Sequence, residues 1–88
     1  MTIKYVHLFT SPTCKPCGAM KPIYKQVCAE REIQLVLHDV ATLDGAEFAG
    51  TVGVQSVPTA LLLDADGGEV ERIVGATPRQ NVERRLDQ

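Results

Sequence analysis

The chain predicts an α/β domain built on a four-stranded mixed sheet flanked by helices, and three observations lead there. Apolar stretches rich in β-branched residues alternate with stretches of helical spacing. The first two candidate strands are separated by a helix-length segment, which makes them parallel with a right-handed crossover. The last two are separated only by Asp64-Ala65-Asp66-Gly67-Gly68, a turn signal that makes them an antiparallel hairpin. The order read from the sequence is β-α-β-α-β-β-α, as a single domain over residues 1–88, with no linker or repeat.

Each element has its own warrant. Residues 3–10 read as a strand apolar on both faces, Ile3, Tyr5 and Phe9 against Val6 and Leu8, and so as a central strand. Residues 16–31 carry Ala19, Met20, Ile23 and Val27 on one side and Lys21, Lys25, Gln26 and Glu30 on the other, an amphipathic helix. Pro22 lies inside it and is expected to kink it. Residues 33–40 form a second apolar strand, and residues 44–51 a short helix around Phe48 and Ala49. Residues 59–63 are apolar without alternation, whereas the partner strand, 69–74, carries Glu69, Glu71 and Arg72 as an edge strand should. Thr77 is placed as N-cap of a closing helix with Pro78 at its first position, and Val82 and Leu86 form its inner side.

The composition bounds what such a domain does. At 88 residues, 44% hydrophobic and 23% charged, the chain supports one modest core and excludes disorder. Nine Lys plus Arg against eleven Asp plus Glu, a net charge of −2, leave no footprint for nucleic acid. No apolar run is long enough for a membrane span. The first residues lack the basic start and long apolar stretch of a signal peptide, so a cytoplasmic, reducing compartment is the expectation.

In that compartment three cysteines are a poor disulfide framework, and two of them stand as Cys14-Lys15-Pro16-Cys17. The pair follows a strand and opens a helix. A first helical turn has unpaired N–H groups and a partial positive charge, both of which favour a thiolate over a thiol. Cys14 is at that mouth and Lys15 adds positive potential, so Cys14 is the candidate nucleophile, its pKa brought down from the usual value of about 8.5. Cys17, one turn further in, falls on the same helix face within disulfide reach and is the candidate resolving thiol. Pro16 stiffens the turn and withholds a donor.

Other readings of these residues are weaker. A zinc site needs two more ligands, and only Cys28, His7 and His38 remain, without a second pair, so no metal is expected. Cys28 is eleven residues beyond Cys17, roughly 16 Å along a helix, out of reach and assigned to core packing. His7 alternates to the face opposite Leu8 and is not assigned to catalysis, and His38 reads as a strand-end residue without chemistry. Asp64 and Asp66 fail the remaining positions of a calcium loop, and Glu83-Arg84-Arg85 reads as a solvated helix face.

Four features together resemble the thioredoxin-like family over essentially the whole chain: Cys14-Lys15-Pro16-Cys17, Pro22 five residues on, Gly53-Val54-Gln55-Ser56-Val57-Pro58-Thr59, and Val74-Gly75-Ala76. The resemblance implies a thiol–disulfide oxidoreductase with the minimal thioredoxin-like fold, as in glutaredoxins. It implies a cis bond at Val57–Pro58, with Pro58 against the cysteines and the Val57 backbone free to pair with an extended substrate strand. Gly75 borders the same groove, so the implied substrate contacts are Thr13, Lys15, Pro16, Val57, Pro58 and Gly75. No bound cofactor is implied; electrons come from NADPH through a thioredoxin reductase-type flavoprotein, and the partners are disulfide-containing proteins met by a monomer. Two positions depart from the family pattern. Thr13 stands where thioredoxins usually have Trp, and Leu8 where many have a buried Asp. A glutathione-dependent glutaredoxin is the enzyme alternative, although Gly75-Ala76-Thr77 lacks that branch's Gly-Gly. A non-catalytic binding module using the Val57–Pro58 groove is the other.

Overall fold

The structure is a computed structural model that describes residues 2–88. Its elements run β1 (Tyr5–Thr10), α1 (Lys15–Glu30), β2 (Gln34–Asp39), α2 (Leu43–Val52), β3 (Thr59–Leu63), β4 (Glu69–Val74) and α3 (Arg79–Leu86). The four strands form one sheet in the order β2-β1-β3-β4. β1 pairs in parallel with β2, Phe9 opposite His38, and antiparallel with β3, Phe9 opposite Thr59. β3 and β4 form the hairpin, Thr59 opposite Val74. The α/β class, the mixed sheet, the central β1 and the edge position of β4 agree with the sequence reading.

Several details differ, each for a local reason. Ile3 precedes β1 and, instead of sharing a face with Tyr5 and Phe9, it packs with Val6 and Leu8, because alternation does not bind a residue outside the pleat. On α1 the inner side is Cys17, Met20, Tyr24, Val27 and Cys28, whereas Ala19 is exposed. α1 continues through Pro22, whose ring is on the exposed side one turn after exposed Gly18, so the carbonyl that loses its N–H partner is open to water. β2 is apolar but is an edge strand, with Leu37 41% exposed. α3 has Pro78 as N-cap, not Thr77: Pro78 combines φ −62° with an extended ψ of 151°, so helical geometry starts at Arg79. The Thr77 hydroxyl instead accepts from Asn81 Nδ2 at 2.8 Å.

The sheet separates two apolar clusters. On the side of α1 and α3, Val6, Leu8, Met20, Tyr24, Val27, Leu62, Val82 and Leu86 belong to one buried core. On the side of α2, Phe9, Ala49 and Leu61 are buried, with half-buried Phe48, Val52, Val54 and Val57 packed against them. α2 is held close to the end of β2. Thr42 caps it, its Oγ1 accepting from the Gly45 N–H at 3.0 Å. A Cβ on Gly45 would lie 1.9 Å from the Asp39 carbonyl oxygen, so only glycine allows this approach. The helix ends at Gly53, φ +74°, which leads into the segment before Pro58.

Candidate active site

The strand order brings three segments of the chain to one end of the sheet. β1 ends at Thr10 and leads into Cys14; β3, antiparallel to it, begins at Thr59; β4 ends at Val74, opposite Thr59. Cys14 and Cys17, the Val57–Pro58 bond and Gly75 therefore lie at the same end of the sheet. The Gly75 N–H donates to the Pro58 carbonyl at 2.8 Å, tying two of the three segments together. Gly75 has φ +89°, a conformation that favours glycine.

Cys14 is the N-cap of α1 and Cys17 its third residue. The two are joined by a disulfide with Cα atoms 5.3 Å apart. Cys14 is partly exposed and Cys17 is 2% exposed, so the sulfur at the helix mouth is the one a substrate can approach. The turn before it is closed by the Cys14 N–H donating to the Ser11 carbonyl at 3.2 Å. An N-cap side chain takes its hydrogen bond from the N–H of the second or third helical residue. The second here is Pro16, which has none, and the third, Cys17, donates its N–H to the Cys14 carbonyl at 3.2 Å. Lys15 and Pro16 are both exposed beside it, as is Thr13.

The Val57–Pro58 peptide is cis, as the resemblance implied. Pro58 is buried and Val57 half-buried, and among the described residues the Val57 N–H and C=O have no hydrogen-bond partner. Thr59 fixes the bend, its hydroxyl donating to the Ser56 carbonyl at 2.8 Å. A cleft of about 310 Å³ opens beside Val57, between Val40, the Ala46, Ala49 and Gly50 side of α2, and Val54 to Ser56. Val74, 64% exposed immediately before Gly75, is an apolar border residue that the sequence reading missed. The signal was present, for it is an apolar residue ending an edge strand that also carries Glu69, Glu71 and Arg72.

Leu8, where the resemblance pointed to a departure from a buried carboxylate, is fully buried in the core behind α1. Cys28 is buried and unpaired in that same core, where burial pushes its thiol up to about 11. The two histidines lie on the other face. His7 Nδ1 and His38 Nε2 are 2.7 Å apart, with ring centres 5.0 Å apart and planes 11° from parallel. That separation of ring centres is what an in-line N–H···N bond between nearly parallel rings requires, so one imidazole donates to the other. His38 is thus half of a hydrogen-bonded pair instead of an isolated strand-end residue. Burial lowers both pKa values, and for His38 the charge of His7 lowers it further. The sheet keeps this pair apart from Cys28, and among the described residues no three His, Cys, Asp or Glu side chains gather where they could hold a metal.

A half-exposed sulfur at a helix N-terminus, disulfide-bonded to a buried one a turn inside, defines a thiol–disulfide oxidoreductase. Comparison with known proteins is consistent with that class. A family model described as a thioredoxin-like domain matches residues 3–88. Thioredoxin 1 of Synechococcus elongatus is 30% identical over 79 residues, covering 90% of this chain and 73% of that protein. The crystal structure of thioredoxin NaTrxh from Nicotiana alata superimposes with a TM-score of 0.83 at 34% identity, covering 98% of this chain and 72% of that one. Thioredoxin 1 of Thermosipho africanus, at 22% identity, shares the fold with a TM-score of 0.84, covering 94% and 90% of the two chains. The chain belongs to the thioredoxin-like family.

Proposed function

We propose that this protein reduces disulfide bonds in protein substrates, with Cys14 as nucleophile and Cys17 as resolving thiol. The observation that carries the reading is the unequal exposure of the two sulfurs at the mouth of α1, next to the unpaired backbone of Val57. In the reduced protein the Cys14 thiolate attacks one sulfur of a substrate disulfide. The other substrate sulfur leaves as a thiolate and takes a proton, and a mixed disulfide joins Cys14 to the substrate. Cys17 then loses its proton and attacks the Cys14 sulfur. The second substrate thiol is released and the Cys14–Cys17 disulfide closes, so two electrons and two protons have passed to the substrate.

The substrate approaches as an extended segment pairing with Val57, flanked by Thr13, Lys15 and Pro16 on one side and by Pro58 and Gly75 on the other. Two electrons from NADPH, delivered by a thioredoxin reductase-type flavoprotein, restore the dithiol. No resident cofactor takes part. Reduction is the working direction in the reducing cytoplasm, where the protein acts as a monomer.

The test is reduction of insulin disulfides with NADPH and thioredoxin reductase, run beside NADPH, glutathione and glutathione reductase. Turnover in the first system, abolished by Cys14→Ser and arrested as a mixed disulfide by Cys17→Ser, is the expected result. Turnover with glutathione alone would assign the protein to the glutaredoxin branch. Failure of both, and of dithiothreitol as donor, would leave a binding module.

A further inference from the structure

Arg72 is the one side chain from outside residues 52–59 that hydrogen-bonds to that segment, among the described residues. Its Nη2 donates to the Val52 carbonyl at 3.0 Å and its Nη1 to the Gly53 carbonyl at 3.2 Å. These are the last carbonyls of α2 and its cap, beyond the reach of any intrahelical donor. The same guanidinium is held by Glu69, Nε to Oε2 at 2.7 Å and Nη2 to Oε1 at 2.8 Å.

The way Glu69 reaches Arg72 is itself unusual. Residues three apart on a regular strand point to opposite faces. The hairpin register, however, shifts between Leu62 and Leu63, so that Glu69 stands opposite Leu63 and Arg72 opposite Leu61. Leu61 and Leu63 share a face, hence so do Glu69 and Arg72. The bulge supplies one extra residue, Val70, and in doing so aims a preformed ion pair at the end of α2.

From Gly53 only Val54 to Val57 remain before the cis bond. The segment that offers the Val57 backbone is thus anchored at both ends by β4 and its exit, by Arg72 at Val52 and Gly53 and by the Gly75 N–H at Pro58. We propose that Arg72, oriented by Glu69, is a positioning residue for disulfide exchange, setting the backbone on which a protein substrate pairs without touching the sulfurs. The inference rests on the reading that Cys14 and Cys17 reduce protein disulfides.

The experiment compares two oxidised substrates, insulin and a small aromatic disulfide that has no peptide backbone to pair. Arg72→Met is expected to raise KM for insulin about three- to tenfold with kcat little changed, the scale of a lost hydrogen-bonding anchor. Turnover of the small disulfide and the rate of Cys14 alkylation stay at wild-type values. Arg72→Lys, which keeps the charge and can reach one carbonyl, restores part of the insulin KM. Glu69→Gln, which leaves Arg72 in place but loosens its orientation, gives a smaller rise of the same kind and covers the case in which Arg72→Met fails to fold. Unchanged insulin KM in folded Arg72→Met or in Glu69→Gln would overturn the proposal, as would an equal loss on both substrates. A wild-type protein inactive on both disulfides would instead sink the reductase reading on which the proposal stands.

Discussion

The two faces of the sheet are built unequally. Behind α1 and α3 the core is continuous, from Ile3 and Val6 through Tyr24 and Val27 to Val82 and Leu86. Under α2 only Phe9, Ala49 and Leu61 are buried, and the rest of the cluster is half-open. The cysteines belong to the well-packed side and the Val57 segment to the thin one. On the function proposed, a nucleophile gains from a rigid mount and a surface that must accept different partners gains from a lighter one, and the difference in packing follows that division.

That contrast is open to direct attack. The largest expected effect is Tyr24→Ala. Tyr24 is 1% exposed and is among the largest buried side chains, so its removal should cost about 3–5 kcal/mol in urea unfolding, as for other buried aromatics. A cost below that of Phe48→Ala would reverse the ranking of the faces. Gly45→Ala comes next. Its Cβ collides with the Asp39 backbone, which cannot yield as a side chain would, and about 1–3 kcal/mol of destabilisation is expected. Hydrogen exchange should then quicken in α2 before α1. Phe48→Ala, at a half-buried position, should cost about 1–2 kcal/mol, less than Tyr24→Ala because less area returns to water.

The gentlest contrast is read in pH, and the faces should fail at opposite ends. Burial lowers the pKa values of His7 and His38, so the unfolded chain binds protons more readily than the folded one. The stability they confer is present above the ordinary histidine pKa of about 6.5 and is lost as pH falls through the lowered folded values. Double protonation would also set two donors against each other at 2.7 Å. On the other face the Cys28 thiol is raised to about 11, so its share of stability holds at neutral pH and drains as pH rises toward that value. Urea midpoints across pH, with His7→Phe to flatten the acid limb and Cys28→Ala the alkaline one, check both. An acid limb unchanged in His7→Phe would assign it to groups outside the pair.

Much of the molecule was legible from local rules. Cys14-Lys15-Pro16-Cys17 announces itself by spacing, β1 by apolar residues on both faces, and the hairpin by its Asp-Gly-Gly turn. What escaped depended on where separate segments meet. Tyr24 was passed over because its helix already offered Ala19, Met20, Ile23 and Val27 at plausible spacing, and only the packed sheet shows Ala19 outside and Tyr24 in. The histidine pair needs the parallel register that puts His38 opposite Phe9, two residues from His7, and no single segment contains that information. Glu69 and Arg72 look like opposite-facing residues until the bulge is known. The cis Val57–Pro58 bond came from family resemblance, since an X–Pro bond taken alone is usually trans.

The disulfide of this protein closes within the first turn of α1, between residues three apart. The covalent change of a redox cycle is therefore confined to four of 88 residues, and none of the strand pairings has to break for it to occur. Storing two electrons in so short a loop uncouples reactivity from chain size. A dithiol mounted this way is oxidised and rearmed with its strand pairings in place.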